Sequence, residues 1–321
     1  MVCFYPMRAY RVEGVNPSTG KHRIVFNPMV KDGRVLEEVM LPCGQCIGCR
    51  LERSRQWAIR CVHEASMYDD NSFLTLTYDS EHLPKDGSLN LRDVQNFLKR
   101  FRKCVYPSKI RFFQCGEYGE TYGRPHHHMI VFGYDFQDKE LFGYVGDSRR
   151  NNPIFTSNIL SSLWPFGYSS IGDVTFESCA YVARYVTKKF FGKGADEYYQ
   201  GRRPEYVTMS RRPGIGATWL QKYASDVYNQ DKCIIRGNKS CRPPKYYDKI
   251  VNEMYPEIDI EQIKALRRDN SKNSDMFSVK GVDCDVVYDE PLYDWKRAKS
   301  KDEYKKLVIS KSLVRKFESE L

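Results

Sequence analysis

Between Phe73 and Phe191 the hydrophobic pattern switches back and forth between a two-residue and a 3.6-residue period, and that order restricts the fold more than any other property of the chain. "FLTLTY" (Phe73 to Tyr78) alternates and is β-rich, which predicts a strand. Asn90 can cap a helix that carries Leu91, Val94, Phe97, Leu98 and Phe101 on one stripe. "KIRFFQCGEYG" and "HHHMIVFGY" read as two strands joined by a Gly-rich connection. "SNILSSLW" follows as a short helix, "GYSSIGDVTF" as a strand, and "ESCAYVARYVTKKFF" (Glu177 to Phe191) as a strong helix. Strand, helix, strand, strand, helix, strand and one more helix is the ferredoxin-like order. It predicts an α+β protein built on an antiparallel sheet with helices packed on one face.

The flanks differ from this centre. Ahead of it lie strand-like "HRIVFNP" and "RVLEEVML", then "LPCGQCIGCR", and then a helix from about Arg50 to Met67 with Leu51, Ala58, Cys61, Val62 and Ala65 at helical spacing. Beyond Gly192 the chain reads as loop-rich to Gly216. It then turns mainly helical through "WLQKYASDVY", "PKYYDKIVNEMY" and "EIDIEQIKALRR", ending in the Lys-rich "KDEYKKLVISKSLVRKF", a solvated helix face. The expected division is residues 1–70 as a Cys-rich element with its helix, 71–195 as the core, and 196–321 as a mainly helical extension. No internal repeat and no low-complexity linker interrupts it.

Fifty-one Lys and Arg against 41 Asp and Glu leave a net charge of +10, which favours an acidic partner, nucleic acid first. Many of the 23 tyrosines neighbour Lys or Arg, as in "KYYDK" and "RRPEYV", a mixture suited to stacking on single-stranded bases beside phosphate contacts. No stretch approaches the roughly 20 apolar residues of a membrane span, and the start is not a signal peptide. The expectation is a cytosolic protein with no membrane partner.

Three of the six histidines stand together in "TYGRPHHHMIVFG". On a strand, alternate side chains share a face, so His126 and His128 point together while His127 points away. Two imidazoles about 6–7 Å apart along one face can converge on a single metal ion. An ion that handles phosphate usually also takes a hard oxygen ligand, and Glu117 and Glu120 lie near the end of the preceding strand. Glu117 is preferred because the strand end fixes its position. The expected cofactor at His126, His128 and Glu117 is Mg²⁺ or Mn²⁺.

In "YVARYVTKK" Tyr181 and Tyr185 are four residues apart and lie one above the other on a helix. Lys188 falls on the same face, with Lys189 close by. A phenol has a pKa near 10 and is a poor nucleophile until a neighbouring ammonium favours the phenolate. Two such tyrosines allow one to hold a covalent phosphodiester while the other attacks a second. The bland alternative is a tyrosine stripe packing a helix onto the sheet.

"CGQCIGC" spaces Cys43, Cys46 and Cys49 as C-x2-C-x2-C immediately before a helix. In a reducing compartment this favours metal binding over disulfides. Three thiolates leave one position open on a tetrahedral Zn²⁺, which Cys3 or Cys61 could close. Cys3 is preferred, because binding it would staple the amino terminus to the domain. The run also resembles part of an iron–sulfur site, without the Cys-Pro that often ends one.

Together these elements resemble the HUH endonucleases, whose motif pairs two histidines flanking a bulky residue on a strand with a downstream helical Tyr-x-x-Lys. "HHH" and "YVTK" fill the two motifs in the family's order, and "FLTLTY" fits the strand motif ahead of them. "LPCGQCIGCRLERSRQWAIRCVHEAS", "GEYGETYGRPHHHMIVFGYDF", "YVARYVTKK" and "SRRPGIGATWL" are similar to the replication initiators of small single-stranded DNA phages of the gokushovirus branch of the microviruses, over roughly residues 1 to 250. The middle residue of the histidine motif is more often hydrophobic in the family, so His127 is a departure.

The resemblance implies a two-tyrosine rolling-circle initiator acting in the cytoplasm of an infected bacterium. Such an enzyme nicks the origin of a duplex circle, keeps the 5′ phosphate on Tyr181 or Tyr185, leaves a 3′ hydroxyl to prime synthesis, and later joins strand ends. Lys188 and Lys189 would assist, and the partners would be single-stranded and origin duplex DNA with the host helicase and polymerase. Two other readings compete. A non-catalytic, zinc-stapled DNA-binding protein explains the charge and the cysteines but not the tyrosine pair. A nucleotide hydrolase of histidine-triad type would alternate its histidines with apolar residues, whereas these three are consecutive.

Overall fold

The computed structural model describes residues 3–17, 20–119, 122–145, 152–188, 195–236 and 239–273. The Lys-rich segment near the carboxyl end lies outside them. The described residues fall into two compact units, one ending at Glu52 and the other beginning at Arg53.

The first unit holds strands β1 (Met7–Val15), β2 (His22–Val25) and β3 (Val35–Leu41), in the antiparallel order β2-β1-β3. Helix α1 (Ile47–Ala65) then carries the chain into the second unit. Strands β2 and β3 match the two strand-like pieces of the sequence, whereas the central strand β1 was not anticipated. Its buried residues Ala9 and Val12 are three apart, so the run shows no two-residue period.

The second unit is organised by a seven-stranded antiparallel sheet, as the sequence order predicts. Its elements are β4 (Asn71–Thr77), α2 (Leu91–Cys104), β5 (Arg111–Tyr118), β6 (Pro125–Phe132), β7 (Glu140–Val145), β8 (Asn152–Thr156), α3 (Asn158–Leu163), β9 (Ser169–Gly172), α4 (Phe176–Lys188), α5 (Ala195–Tyr199) and β10 (Tyr206–Met209). The strand order is β10-β5-β6-β4-β9-β8-β7. Within it, β9-β4-β6-β5 reproduces the ferredoxin-like arrangement, with β6 inserted between the two strands that α2 connects. Strands β7 and β8 extend one edge. Strand β10 extends the other, drawn from a stretch that the sequence reading places in the extension.

The sheet is covered on both faces, and this positions the site. Asn90 caps α2, its side chain accepting from the Arg92 N–H, and the predicted stripe Val94, Phe97, Leu98 and Phe101 is buried. That stripe packs with Leu160 and Leu163 of α3 and with Trp164 against Leu74, Leu76, Met129 and Val131. Each fully buried large side chain contributes about 2–3 kcal/mol of transfer free energy. The helices of the ferredoxin-like unit therefore share one face, as expected. Helix α4 departs from that expectation: its Cys179 and Val182 pack with Phe113, Cys115, Ile130 and Phe132 on the opposite face.

Downstream, α6 (Ala217–Gln230), a short hairpin of β11 (Cys233–Arg236) and β12 (Lys239–Cys241), α7 (Lys245–Met254) and α8 (Ile260–Asn273) form a mainly helical module. Its core is built from Leu220, Val227, Tyr247, Val251 and Ile260. Arg267 of α8 pairs with both Asp231 and Asp248 and ties the module together.

Candidate metal centres and the tyrosine helix

Strand β6 lies between β5 and β4, and its register fixes what meets what. His126 sits opposite Glu117 on β5 and Thr77 on β4, while His128 sits opposite Cys115 and Thr75. Alternation sends His126 and His128 to the α4 face and His127 to the α2 face. On the α4 face, Nε2 of each outer histidine lies 2.8 Å from the same Glu117 oxygen, Oε1. The ligand atoms of Glu117, His126 and His128 all lie within 4.8 Å of one another. The set predicted from the sequence is thus brought together, and Glu120 lies outside the described residues.

These three residues fit a divalent ion. The His126 Nδ1–H donates to the Arg124 carbonyl at 3.1 Å, which leaves the Nε2 lone pair facing the Glu117 carboxylate. A lone pair and a carboxylate oxygen at that separation repel unless a cation or a proton lies between them. Two ligands about 2.1 Å from one ion at a right angle would stand about 3.0 Å apart, close to the separation seen. His128 has an outer partner of the same kind, Thr75 Oγ1 at 3.1 Å from Nδ1, which orients the ring. Burial alone would raise the Glu117 carboxyl, but its hydrogen bonds with the two imidazoles bring it down to about 2.

His127 is a core residue. It is fully buried beside Tyr78, Trp164 and Tyr206, and burial pushes its pKa down to about 3, so it stays neutral.

Helix α4 places Tyr181 against the three ligands. Its phenol donates to Glu117 Oε1 at 3.3 Å and lies 3.5 Å from His128 Nε2. Phe73 stacks on the other side of His128, with ring centroids 5.6 Å apart. The α4 backbone runs on through Tyr185 and Lys188, whose side chains, like Lys189 as a whole, lie outside the described residues. The sequence reading missed Thr75 and the Tyr181–Glu117 contact. Thr75 is the middle residue of "LTL", and only the register of β4 on β6 brings it to His128.

In the first unit, Cys3, Cys43, Cys46 and Cys49 converge, their sulfurs within 4.8 Å of one another. The Cys43 N–H donates to Cys3 Sγ at 3.2 Å, Cys46 N–H to Cys43 Sγ at 3.3 Å, and Phe4 N–H to Cys46 Sγ at 3.4 Å. Backbone donors aimed at sulfur favour thiolates. The Cys3–Cys46 separation of 3.9 Å is close to the edge of about 3.8 Å expected for a tetrahedron with 2.3 Å Zn–S bonds. The four residues fit a thiolate-bound metal. Of the two candidates for the fourth position, Cys3 joins the cluster, while Cys61 is buried in the core of the other unit near Cys179.

Fold and site define an α+β protein with a candidate N,N,O metal centre on a central strand, a tyrosine helix over it, and a four-cysteine element. The family described as replication-associated protein ORF2 matches residues 71–190, the span from β4 through α4 that holds the centre. Replication-associated protein VP4 of Bdellovibrio phage phiMH2K is 32% identical over 288 residues, covering 87% of this chain and 86% of that protein. Replication-associated protein ORF2 of Spiroplasma virus 4 is 31% identical over 291 residues, covering 85% and 88%. Replication-associated protein ORF4 of Chlamydia phage 1 is 36% identical over 236 residues, covering 71% of this chain and 58% of that longer protein. The chain belongs to this family of phage replication-associated proteins. No solved structure matches it significantly. Among the described residues no helix is long and apolar enough to cross a membrane.

Proposed function

We propose that the chain starts rolling-circle replication as a metal-dependent, site-specific single-strand DNA endonuclease of HUH type. The observation that carries this reading is the Tyr181 phenol, 3.3 Å from a carboxylate that also lies 2.8 Å from both outer histidines. His126, His128 and Glu117 would hold Mg²⁺ or Mn²⁺, which when bound supplies Lewis-acid polarisation of the scissile phosphate. Tyr181 oxygen attacks phosphorus, the bond from phosphorus to the 3′ oxygen breaks, and the leaving oxygen takes a proton to become the 3′ hydroxyl. The 5′ phosphate stays on tyrosine, and attack by a later 3′ hydroxyl rejoins the strand and frees the phenol. Tyr185, one turn further along α4, is the second nucleophile. Lys188 and Lys189 favour the phenolate.

The cysteine element holds a structural Zn²⁺ in this reading. The 3′ hydroxyl primes the host polymerase behind the host helicase, in the cytoplasm of the infected bacterium. The test mixes the protein with labelled single-stranded origin DNA and Mn²⁺ or Mg²⁺ and looks for denaturation-resistant adducts. Tyr181→Phe and Tyr185→Phe should each retain some adduct, and the double variant none. A DNA-linked peptide lacking both tyrosines would refute the mechanism. No adduct under any metal would favour a purely DNA-binding protein.

A further inference from the structure

The metal centre lies toward one end of the sheet, and the side chains along that end form an ordered row. From one edge the strands there are β10, β5, β6, β4 and β9. Strand β5 finishes at Tyr118 opposite Pro125, β4 finishes at Thr77 opposite His126, and β9 begins at Ser169 opposite Leu76. Four inter-strand steps of about 4.8 Å make the row about 19 Å long, with Glu117 and His126 near its middle.

On the β10 side the row is basic and rigidly built. The Arg202 guanidinium lies 4.7 Å from the Tyr118 ring centroid, and its Nε–H donates to the Tyr199 carbonyl at 3.3 Å. It also reaches the β5–β6 turn, since a Cβ added at Gly123 would stand 3.7 Å from Arg202 Nη1. Exposed Arg203 has its backbone fixed at both ends: its N–H donates to Ser88 Oγ at 2.9 Å, and its carbonyl accepts from Tyr118 Oη at 2.7 Å. Two aromatic side chains then flank the centre. Tyr122, in the β5–β6 turn, is 84% exposed, and Tyr168, before β9, is 75% exposed. The Tyr168 backbone is held by Thr77, whose N–H and Oγ1 donate to its carbonyl at 2.9 and 3.1 Å. The acidic Asp79 and Glu81 lie just beyond Thr77, so the two sides of the centre differ in charge.

Leaving two large rings in water costs hydrophobic free energy, and a folded protein rarely places them beside a charged site without a use. Arginines beside exposed aromatics suit one ligand chemistry in particular, a phosphodiester backbone with unpaired bases. We infer that this sheet end is a single-stranded DNA track crossing the metal centre, with Arg202 and Arg203 on backbone phosphates to one side and Tyr122 and Tyr168 stacking a base on either side. The track binds a few nucleotides independently of cleavage. Its position across the centre rests on the function proposed above, but its existence as a binding surface does not.

The test therefore measures binding without chemistry. Fluorescence anisotropy of the full chain with labelled oligo(dT), which carries no origin, is recorded over a salt series without added divalent metal. Replacing both Arg202 and Arg203 by Ala should reduce the slope of log affinity against log salt by about 1.4, at about 0.7 per lost single-strand phosphate contact. Tyr122→Ala and Tyr168→Ala should each weaken binding about tenfold, and Phe at either position should restore it because the ring does the stacking. Tyr106→Ala is the control, a tyrosine 82% exposed that follows α2 at the other end of the sheet, and it should leave affinity unchanged. Arg203→Ala alone, at an exposed side chain, serves if the double variant fails to fold. Unchanged slope in the arginine variants, or tyrosine effects no larger than that of Tyr106→Ala, would overturn the track. Loss of oligo(dT) binding in the rim variants without any tyrosine adduct in the wild type would keep the track and remove the nuclease.

Discussion

Consecutive histidines with opposite duties make the sharpest test, through His127→Ala beside His126→Ala. The His127 imidazole is fully buried and neutral on the α2 face, with Tyr78 Oη and Gln114 Nε2 each 3.4 Å away and the Trp164 ring at 5.9 Å. Truncation leaves a cavity and weakens two buried polar contacts, a loss of about 3 kcal/mol. For a unit of some 200 residues each kcal/mol moves the melting midpoint by about 2–4 °C, so Tm should fall by roughly 6–12 °C. His126 has a side chain 17% exposed and contributes to the metal centre. Its Ala variant should lose adduct formation with a smaller change in Tm. Scanning fluorimetry gives Tm, and adduct yield is read at a temperature where both variants are folded. A His127→Ala protein that is folded yet inactive, beside an active His126→Ala, would show that the strand presents the other face to the metal.

Three other perturbations test separate parts of the molecule. Thr75→Val removes the outer partner of His128 and should raise the Mn²⁺ concentration for half-maximal adduct formation by about 10- to 100-fold, with little loss at saturation; an unchanged metal titration would show that Thr75 does not position the ligand. Cys46→Ser should lower bound metal in purified protein and depress Tm, because structural metal binding contributes folding free energy directly; a folded, reduced wild type without zinc or iron would remove the assignment. His63 donates from Nε2 to the Ile234 carbonyl, accepts at Nδ1 from Tyr247, and stacks on Trp219 with centroids 3.5 Å apart. Burial lowers its pKa from 6.5 to about 4, so the fold favours the neutral form. The stability this contributes is complete above about pH 6.5 and is lost as the pH falls toward 4, about 3 kcal/mol in all. Urea midpoints between pH 7 and pH 4 should therefore fall less steeply in His63→Gln than in the wild type.

The parts of this molecule legible in its sequence are those where one physical signal dominates. Helix α2 is marked by its Asn90 cap and by a stripe at 3.6-residue spacing, and the structure buries that stripe. The histidine pair follows from strand alternation alone, and Glu117 from its place at a strand end. Strand β7 gives no such signal, because five of its six residues are exposed and no buried face imposes alternation. Strand β10 has four residues, all half-buried, too few to establish a period. Other features are non-local by nature. The face of the sheet that α4 takes, the meeting of Thr75 with His128, and the convergence of Cys3 on residues forty positions away each depend on how distant segments pair.

His127 also shows why a third histidine can occupy a place where relatives of this type more often carry an apolar residue. The position faces the α2 side, where Leu76, Met129 and Trp164 are fully buried, so a hydrophobic residue is the ordinary solution. An imidazole is tolerated because it stays neutral and finds Tyr78 and Gln114 within reach. The same inward anchoring serves the ligands on the outward face. Both His126 and His128 are paired in register to strands on either side, so neither can shift without breaking ladder hydrogen bonds. Tyr181, by contrast, comes from a helix laid across that face through side-chain packing at Cys179 and Val182. The ligands are thus the rigid part of the centre, and adjustment of the phenol toward a bound phosphate falls to α4 and its side chains.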